Sequence, residues 1–180
     1  MNKGLRRATG DVIAVLNADD FYAAPDILES VAQRISADDL DALLGDVDFF
    51  RPESPQTSVR RYNSGYFSPE RLGSGWMPAH PAMFVRRAVY DRIGHFRTDY
   101  RIAADFEWIA RAFHGGRLKY AHYPRVLVRM QMGGASTSGL KSTIRLNAEI
   151  LRACRENGIP TGALRLLSKF PRKLLELVRT

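Results

Sequence analysis

The sequence predicts an α/β fold built around a parallel sheet, and three consecutive segments carry this prediction. Residues 12–16 form a short apolar run with β-branched members, which is typical of a strand buried on both faces of a sheet. Residues 25–36 follow as an amphipathic helix with proline at its first position. Residues 41–50 are then predicted as a second strand, and its alternation around Asp46 and Asp48 indicates a wetter face or a sheet edge.

The rest of the chain extends this alternation of strands and helices. Residues 2–9 match the end of a helix that stops at a glycine. Because little sequence precedes the strand at 12–16, we expect either an edge position for it or a missing N-terminal part. Prolines, glycines and serines predict a long loop over 51–79, with at most a short strand at 58–62. Later predicted elements are a strand at 83–85, helices at 86–93 and 104–113, a strand pair or one bent strand at 119–131, and helices at 140–157 and 163–178.

Composition indicates an ordinary globular domain. Of the 180 residues, 45% are hydrophobic and 26% are charged, so one domain with a sizeable core is expected. The single cysteine, Cys154, excludes an internal disulfide framework and is predicted to be a small buried hydrophobe. No apolar run is long enough for a membrane span, and the N-terminus lacks a signal pattern. We therefore expect a cytoplasmic location, with a peripheral position at the inner face of the plasma membrane as the alternative.

The net charge of +8 is concentrated near the C-terminus, where residues 141–180 hold nine basic and three acidic side chains. Such a tail can meet an anionic membrane surface or a phosphorylated substrate, or it can be a solvated face. Nucleic acid is not expected, because the sequence lacks a zinc pattern, a helix-turn-helix signature and aromatic residues on basic strands.

A polar turn ends the first predicted strand at Asn17-Ala18-Asp19-Asp20. Ligands of open α/β sheets bind outside the carboxyl ends of strands. Adjacent carboxylates there suit Mg²⁺ or Mn²⁺, which prefer hard oxygen ligands. The alternative is a polar turn in which an aspartate helps to start the next helix.

Further motifs follow this turn in a characteristic order. They are Asn2-x-Gly4, Ala8-x-Gly10-Asp11, Asn17-Ala18-Asp19-Asp20-x-Tyr22, His80-Pro81-Ala82-Met83-Phe84-Val85-Arg86-Arg87, Ile93-Gly94-x-Phe96, Ala104-Asp105-Phe106-Glu107-Trp108 and Gly133-Gly134-x-Ser136-Thr137. Over residues 1–150 this combination resembles the family 2 glycosyltransferases of bacterial cell-surface polysaccharide and glycolipid synthesis. The resemblance implies a GT-A fold, a three-layer α/β sandwich, as a partial domain over 1–157. A basic amphipathic helical tail over 158–180 would complete the chain.

The resemblance also implies roles for individual residues. The turn is similar to the family's DXD-type motif, so Asp19 and Asp20 are expected to bind Mg²⁺ or Mn²⁺. Asn17 replaces the commoner first aspartate, and Asn17 and Asp19 are expected to contact the sugar nucleotide. Arg7 resembles a position near the nucleotide phosphates, and a solvated cation at a helix end is its alternative.

In the second half of the motif set, Asp105 matches the catalytic base of inverting members, which takes the proton of the acceptor hydroxyl. Its alternative is a carboxylate that only supports the start of a helix. Glu107 is expected either to help bind the acceptor or to lie on a solvated face. His80 resembles a substrate-binding loop position, and a purely structural histidine is the alternative. Trp76 and Trp108 can stack on a sugar ring, although packing is favoured for Trp108.

The sequence departs from the family at its start. Family members open with strand, helix and strand elements that hold the base and ribose of the nucleotide, and residues 2–10 match only the helix after them. We therefore expect a GT-A domain that is truncated at its N-terminus. The predicted function is inverting transfer of a sugar from a nucleoside-diphosphate donor to a hydroxyl of a glycan or lipid-linked acceptor in cell-envelope synthesis. An inactive remnant and a basic membrane-binding module are the alternatives.

Overall fold

A computed structural model describes residues 1–115, 118–133, 139–162 and 165–166. The chain divides into two compact units. Unit 1 comprises Met1–Tyr66, Pro78–His95 and Arg117–Met132, and unit 2 comprises Phe67–Met77, Phe96–Gly116 and Gly133–Thr180. Within the described ranges, none of the helices combines the length and hydropathy that a membrane span requires.

Unit 1 is a mixed sheet with helices. Its helices are α1 (Asn2–Leu5), α2 (Ile27–Ala37) and α3 (Arg87–Ile93), and its strands are β1 (Val12–Ala14), β2 (Phe21–Tyr22), β3 (Ala42–Arg51), β4 (Ser54–Tyr62), β5 (Met83–Arg86) and β6 (Tyr120–Gln131). The strand order is β1-β5-β3-β6-β2, and β4 pairs with β3. Only β3 and β6 run parallel among the paired strands of the described residues. The alternation of helices and strands confirms the predicted α/β class, but the predicted parallel sheet was wrong, because the other described strand pairs are antiparallel.

The core of unit 1 lies between α2 and one face of the sheet. Ile27, Val31 and Ile35 recur at helical spacing on α2 and are at most 2% exposed, as the amphipathic pattern predicts. They pack in one cluster with Leu43 and Val47 of β3. Because side chains alternate along a strand, Asp46 and Asp48 point to the opposite face.

Two predictions about individual strands were wrong. The strand at 12–16 was expected to be buried on both faces, but β1 is shorter, antiparallel to β5 and terminal in the strand order. The edge position that was also expected for this strand is confirmed. Only Ile13 of β1 is buried, because among the described strands β1 pairs with β5 alone. The strand at 41–50 was expected to be wetter or at an edge, but β3 is paired with β4, β5 and β6, and Asp46 is 0% exposed.

The predicted loop at 51–79 is also more ordered than expected. Strand β4 occupies Ser54–Tyr62, and 3₁₀ turns follow at Ser64–Tyr66 and Pro69–Ser74. Pro55 lies inside β4, which among the described strands pairs only with β3, and an edge strand tolerates the missing proline donor. The segment 119–131 forms one continuous strand with register irregularities opposite Asp46.

Unit 2 contains α4 (Ala104–Ala110), a π turn at Arg111–Gly115 and α5 (Leu140–Glu156). Its core is aromatic: Trp108 is 0% exposed, and its ring lies 5.7 Å from that of Phe96. Cys154 is fully buried, as predicted; burial raises the pKa of its thiol. The predicted helix at 163–178 falls almost entirely outside the described residues. The motif at residues 133–137 also does, except for Gly133.

Candidate functional site

The turn at residues 17–20 is held in place by Asp20. The side-chain amide of Asn17 donates to Oδ2 of Asp20 at 2.8 Å, and the backbone N–H of Gln131 donates to Oδ1 of Asp20 at 3.3 Å. Asp20 is 9% exposed. Its carboxylate therefore ties the turn to the end of β6.

Asp19 has the opposite character, because its side chain is exposed to solvent. No cluster of three or more His, Cys, Asp or Glu side chains with metal-binding spacing occurs in the part of the chain that the structure describes. The donor set nevertheless fits Mg²⁺ or Mn²⁺, since such ions commonly take one or two protein carboxylates and complete their shell with ligand oxygens and water. Both oxygens of Asp20 already accept protein hydrogen bonds, so Asp19 is the more available ligand.

Arg7 and His80 also belong to unit 1. Arg7 is exposed in the turn that follows α1. His80 begins a 3₁₀ turn directly before β5 and is 7% exposed. Such burial is compatible both with a substrate contact and with the structural alternative for His80, so its role stays a prediction.

A buried polar network, which sequence reasoning did not single out, lies beside His80. Asp46 Oδ1 accepts hydrogen bonds from the backbone N–H of Ser64 at 2.9 Å and from His122 Nε2 at 2.7 Å. The other oxygen of Asp46 lies 2.6 Å from a guanidinium nitrogen of Arg61. Ser64 Oγ in turn accepts the backbone N–H of Ala79 at 3.0 Å. The network thus holds the backbone immediately before His80.

Asp105 and Glu107 belong to unit 2. Asp105 lies in the first turn of α4, as predicted, and its Oδ1 accepts the backbone N–H of Phe106 at 2.7 Å. Glu107 is 1% exposed, and its oxygens lie 3.0 Å from the guanidinium of Arg111. The solvated-face interpretation of Glu107 was therefore wrong, because the side chain is buried and paired with Arg111. Contact of Glu107 with an acceptor stays a prediction.

The start of α4 is held by a carboxylate from α5. Glu149 accepts the backbone N–H groups of Arg101, Ile102 and Ala103 at 3.1, 2.9 and 2.8 Å. Burial alone would raise the pKa of Glu149, but these three amides and Arg145 outweigh it and lower that pKa. Glu149 therefore fixes the backbone two residues before Asp105. No local pattern near residue 105 points to this long-range partner.

The two tryptophans have different surroundings. Trp108 is 0% exposed, so packing rather than sugar stacking accounts for it. Trp76 is partly exposed, and the guanidinium of Arg71 lies 6.0 Å from its ring centroid.

Similarity to known proteins identifies the family of this chain. A model of the family described as glycosyl transferase family 2 matches residues 1–94. The chain belongs to this family. The match includes the acidic turn and His80, and it ends before Asp105.

Relatives and solved structures agree with the family 2 assignment. The chain is 32% identical over 141 residues to a PGL/p-HBAD biosynthesis glycosyltransferase of Mycobacterium tuberculosis, an alignment that covers 77% of this chain and 52% of that protein. It is 27% identical over 143 residues to an uncharacterised glycosyltransferase of Bacillus subtilis, in an alignment that covers 76% of this chain and 52% of that protein. The chain thus spans about half the length of these curated relatives.

Among solved structures, the crystal structure of S. aureus TarS 1–349 in complex with UDP-GlcNAc matches with a TM-score of 0.58 at 15% identity, covering 84% of this chain and 45% of that one. The structure of S. aureus TarS matches with a TM-score of 0.51 at 15% identity, covering 85% and 30%. These likenesses confirm the predicted GT-A fold of this family 2 chain.

Proposed function

We propose that this family 2 chain carries out inverting transfer of a sugar from a nucleoside diphosphate to an acceptor hydroxyl. The observation that carries the proposal is the contrast within the acidic turn, where Asp20 is anchored by two protein hydrogen bonds and Asp19 is exposed. A turn built this way presents one free carboxylate from a fixed backbone. The structural likeness to TarS, which was crystallised with UDP-GlcNAc, supports a sugar nucleotide as donor.

In this proposal Asp19 is the main protein ligand of Mg²⁺ or Mn²⁺, and Asp20 maintains the turn and offers its remaining lone pairs. When bound, the cation supplies charge stabilisation for the departing diphosphate. Asn17 keeps Asp20 oriented and lies at the same turn, so it is the candidate for a polar contact to the donor. Arg7, exposed beyond α1, adds a cation for the phosphates.

Asp105 is the proposed general base. An acceptor oxygen attacks the anomeric carbon, its proton passes to the Asp105 carboxylate, and the bond from the anomeric carbon to the diphosphate breaks. Asp105 lies in the first turn of α4. Glu149 holds that helix start through three backbone amides, which supports a fixed position for the base.

The acceptor is proposed to be a glycan or lipid-linked molecule of the cell envelope, with His80 and Glu107 as substrate-binding residues. The relative from Mycobacterium tuberculosis is named for PGL/p-HBAD biosynthesis, which supports a cell-surface product. A basic C-terminal tail would suit work at an anionic membrane surface on the cytoplasmic side.

The test is nucleotide binding by the 180-residue chain in Mn²⁺, measured by calorimetry with UDP, GDP, ADP and dTDP in turn. We expect one nucleotide to bind, EDTA to abolish binding, and Asp19→Asn to weaken it strongly. Asp11→Asn is the matched control, since Asp11 is an exposed aspartate whose contact is a salt bridge to Arg87. Absence of binding by a chain that melts cooperatively would contradict the proposal and favour the inactive remnant.

A further inference from the structure

Arg129 on β6 is held by aromatic rings rather than by a carboxylate. Its guanidinium carbon lies 5.9 Å from the ring centroids of both Phe21 and Phe50. Within the described ranges, its Nε is buried and has no hydrogen-bond partner, and no ion pair uses its guanidinium. Buried polar groups without a partner are rare in native proteins, and an ion or ligand is one of the ordinary explanations.

Several other arginines of unit 1 form ion pairs. Arg61, Arg86, Arg87 and Arg125 each contact an aspartate. Arg129 is only partly exposed, so it has lost part of its hydration, and among the described residues it forms no ion pair in return. An arginine in such a position can bind an anion, because the planar guanidinium offers paired donors to phosphate oxygens.

The position of Arg129 in the sheet indicates which anion. Arg129 pairs with Phe21 across the antiparallel β2–β6 ladder, and Phe21 follows Asp20 directly. Two residues further along β6, the N–H of Gln131 anchors the Asp20 carboxylate. The arginine and the acidic turn are therefore attached to one strand of unit 1.

We propose that Arg129 is a binding residue for the diphosphate of the sugar nucleotide. This inference rests on the proposed function. The diphosphate of a sugar nucleotide and the carboxylates of Asp19 and Asp20 together carry more negative charge than one divalent cation and Arg7 neutralise. Arg129 supplies the missing positive charge, while Phe21 and Phe50 limit its rotamers, so that little side-chain entropy is lost on binding.

The experiment measures binding of the tightest nucleoside diphosphate, in Mn²⁺, to the wild-type chain and to Arg129→Gln. Losing a charge-assisted phosphate contact should weaken binding by roughly 10-fold or more, and the dependence of affinity on salt should become shallower. Arg129→Lys keeps the positive charge but loses the paired donors of the guanidinium. Its nucleotide affinity should therefore lie between those of the wild type and Arg129→Gln.

Arg60→Gln is the matched control. The Arg60 guanidinium also lies over two rings, 4.6 Å from the centroid of Phe49 and 5.9 Å from that of Tyr62, on the opposite face of the sheet. The nucleotide affinity of the Arg60→Gln variant should equal that of the wild type. Comparable melting temperatures, followed by circular dichroism, ensure that folding does not explain a difference.

The outcomes separate this inference from the proposed function. If the wild type binds nucleotide and folded Arg129→Gln and Arg129→Lys bind equally well, Arg129 has no phosphate role and the proposed function stands. If the wild type binds no nucleoside diphosphate, both proposals fail. If Arg129→Gln does not fold, equal affinity of wild type and Arg129→Lys overturns the inference.

Discussion

The Nε2 atom of His122 lies 2.7 Å from Oδ1 of Asp46, and the two residues stand on the neighbouring parallel strands β6 and β3. Asp46 is 0% exposed, so its charge is out of water and depends on its partners. Arg61 and the Ser64 amide complete the set of donors. A buried carboxylate is tolerated when it is paired and hydrogen-bonded in this way.

Replacing Asp46 should therefore destabilise the fold. Asp46→Ala leaves the donors of Ser64, His122 and Arg61 without their acceptor. Because the Arg61 side chain is 49% exposed and can be hydrated, we expect a loss of about 1–3 kcal/mol, as for a buried donor left unsatisfied. Urea unfolding measures the loss. Asp48→Asn is the control on the same strand, because Asp48 is only partly buried, and it should change the free energy of unfolding by less than about 0.5 kcal/mol.

Gly65 provides a steric test of the same network. A Cβ at Gly65 would lie 2.7 Å from both Cε1 and Nδ1 of His122, and that ring cannot retreat without losing Asp46. Gly65→Ala should lower stability by about 1–3 kcal/mol, which is visible as a lower melting temperature. Gly4→Ala, where a Cβ meets nothing within 4 Å, should not lower it. Equal melting temperatures for the two variants would show that His122 moves freely.

The lowered pKa of Glu149 predicts that this residue stabilises the fold at neutral pH but not in acid. Because its folded pKa lies below the ordinary value of 4.5, its contribution is present above that value and is lost as pH falls through the folded pKa. Glu149→Gln should therefore be less stable than the wild type at pH 7, and the difference should shrink as the pH falls below about 4.5. Unfolding curves between pH 3 and 7 give the comparison, with exposed Glu29→Gln as the control. A pH-independent difference would mean that the charge of Glu149 is not what holds the helix start.

Asp105→Asn separates the chemical step from donor binding. The amide cannot accept the acceptor proton, so we expect sugar transfer to fall by roughly 10²–10⁴-fold, while nucleotide affinity stays near the wild-type value. Transfer is followed as release of nucleoside diphosphate in the presence of acceptor. Asp91→Asn, which changes an exposed aspartate on α3, should be fully active. Unchanged transfer by Asp105→Asn would remove Asp105 as the base.

Arg129→Gln should cost little stability even though it removes a partly buried charge. The substitution removes the cation–ring contacts with Phe21 and Phe50. Such contacts stabilise a fold by about 0.5–2 kcal/mol. A melting temperature within a few degrees of the wild type is the expected result. A collapse of the fold would indicate that Arg129 is mainly a structural residue.

Local patterns were sufficient to predict most elements. The spacing of Ile27, Val31 and Ile35 defined α2, and the apolar run before Asp46 defined β3. The order of the short motifs was sufficient for the family and the GT-A fold. Even the boundaries of α5 followed within one residue, because its helical period runs up to Gly158. These features depend on neighbours within a few residues.

Features that depend on distant residues could not be predicted in this way. Strand order placed β3 in the centre, against its predicted wetter or edge position, and for β1 it decided between burial on both faces and the edge position. The partners of Asp46, the hold of Glu149 on the start of α4 and the ring contacts of Arg129 join residues 15 to 108 positions apart. A sequence pattern records which side chains share a face of one element, whereas burial and charge compensation arise only when elements pack. The sequence therefore specified the family and the acidic turn, and tertiary packing determined that Asp20 is anchored and Asp19 exposed.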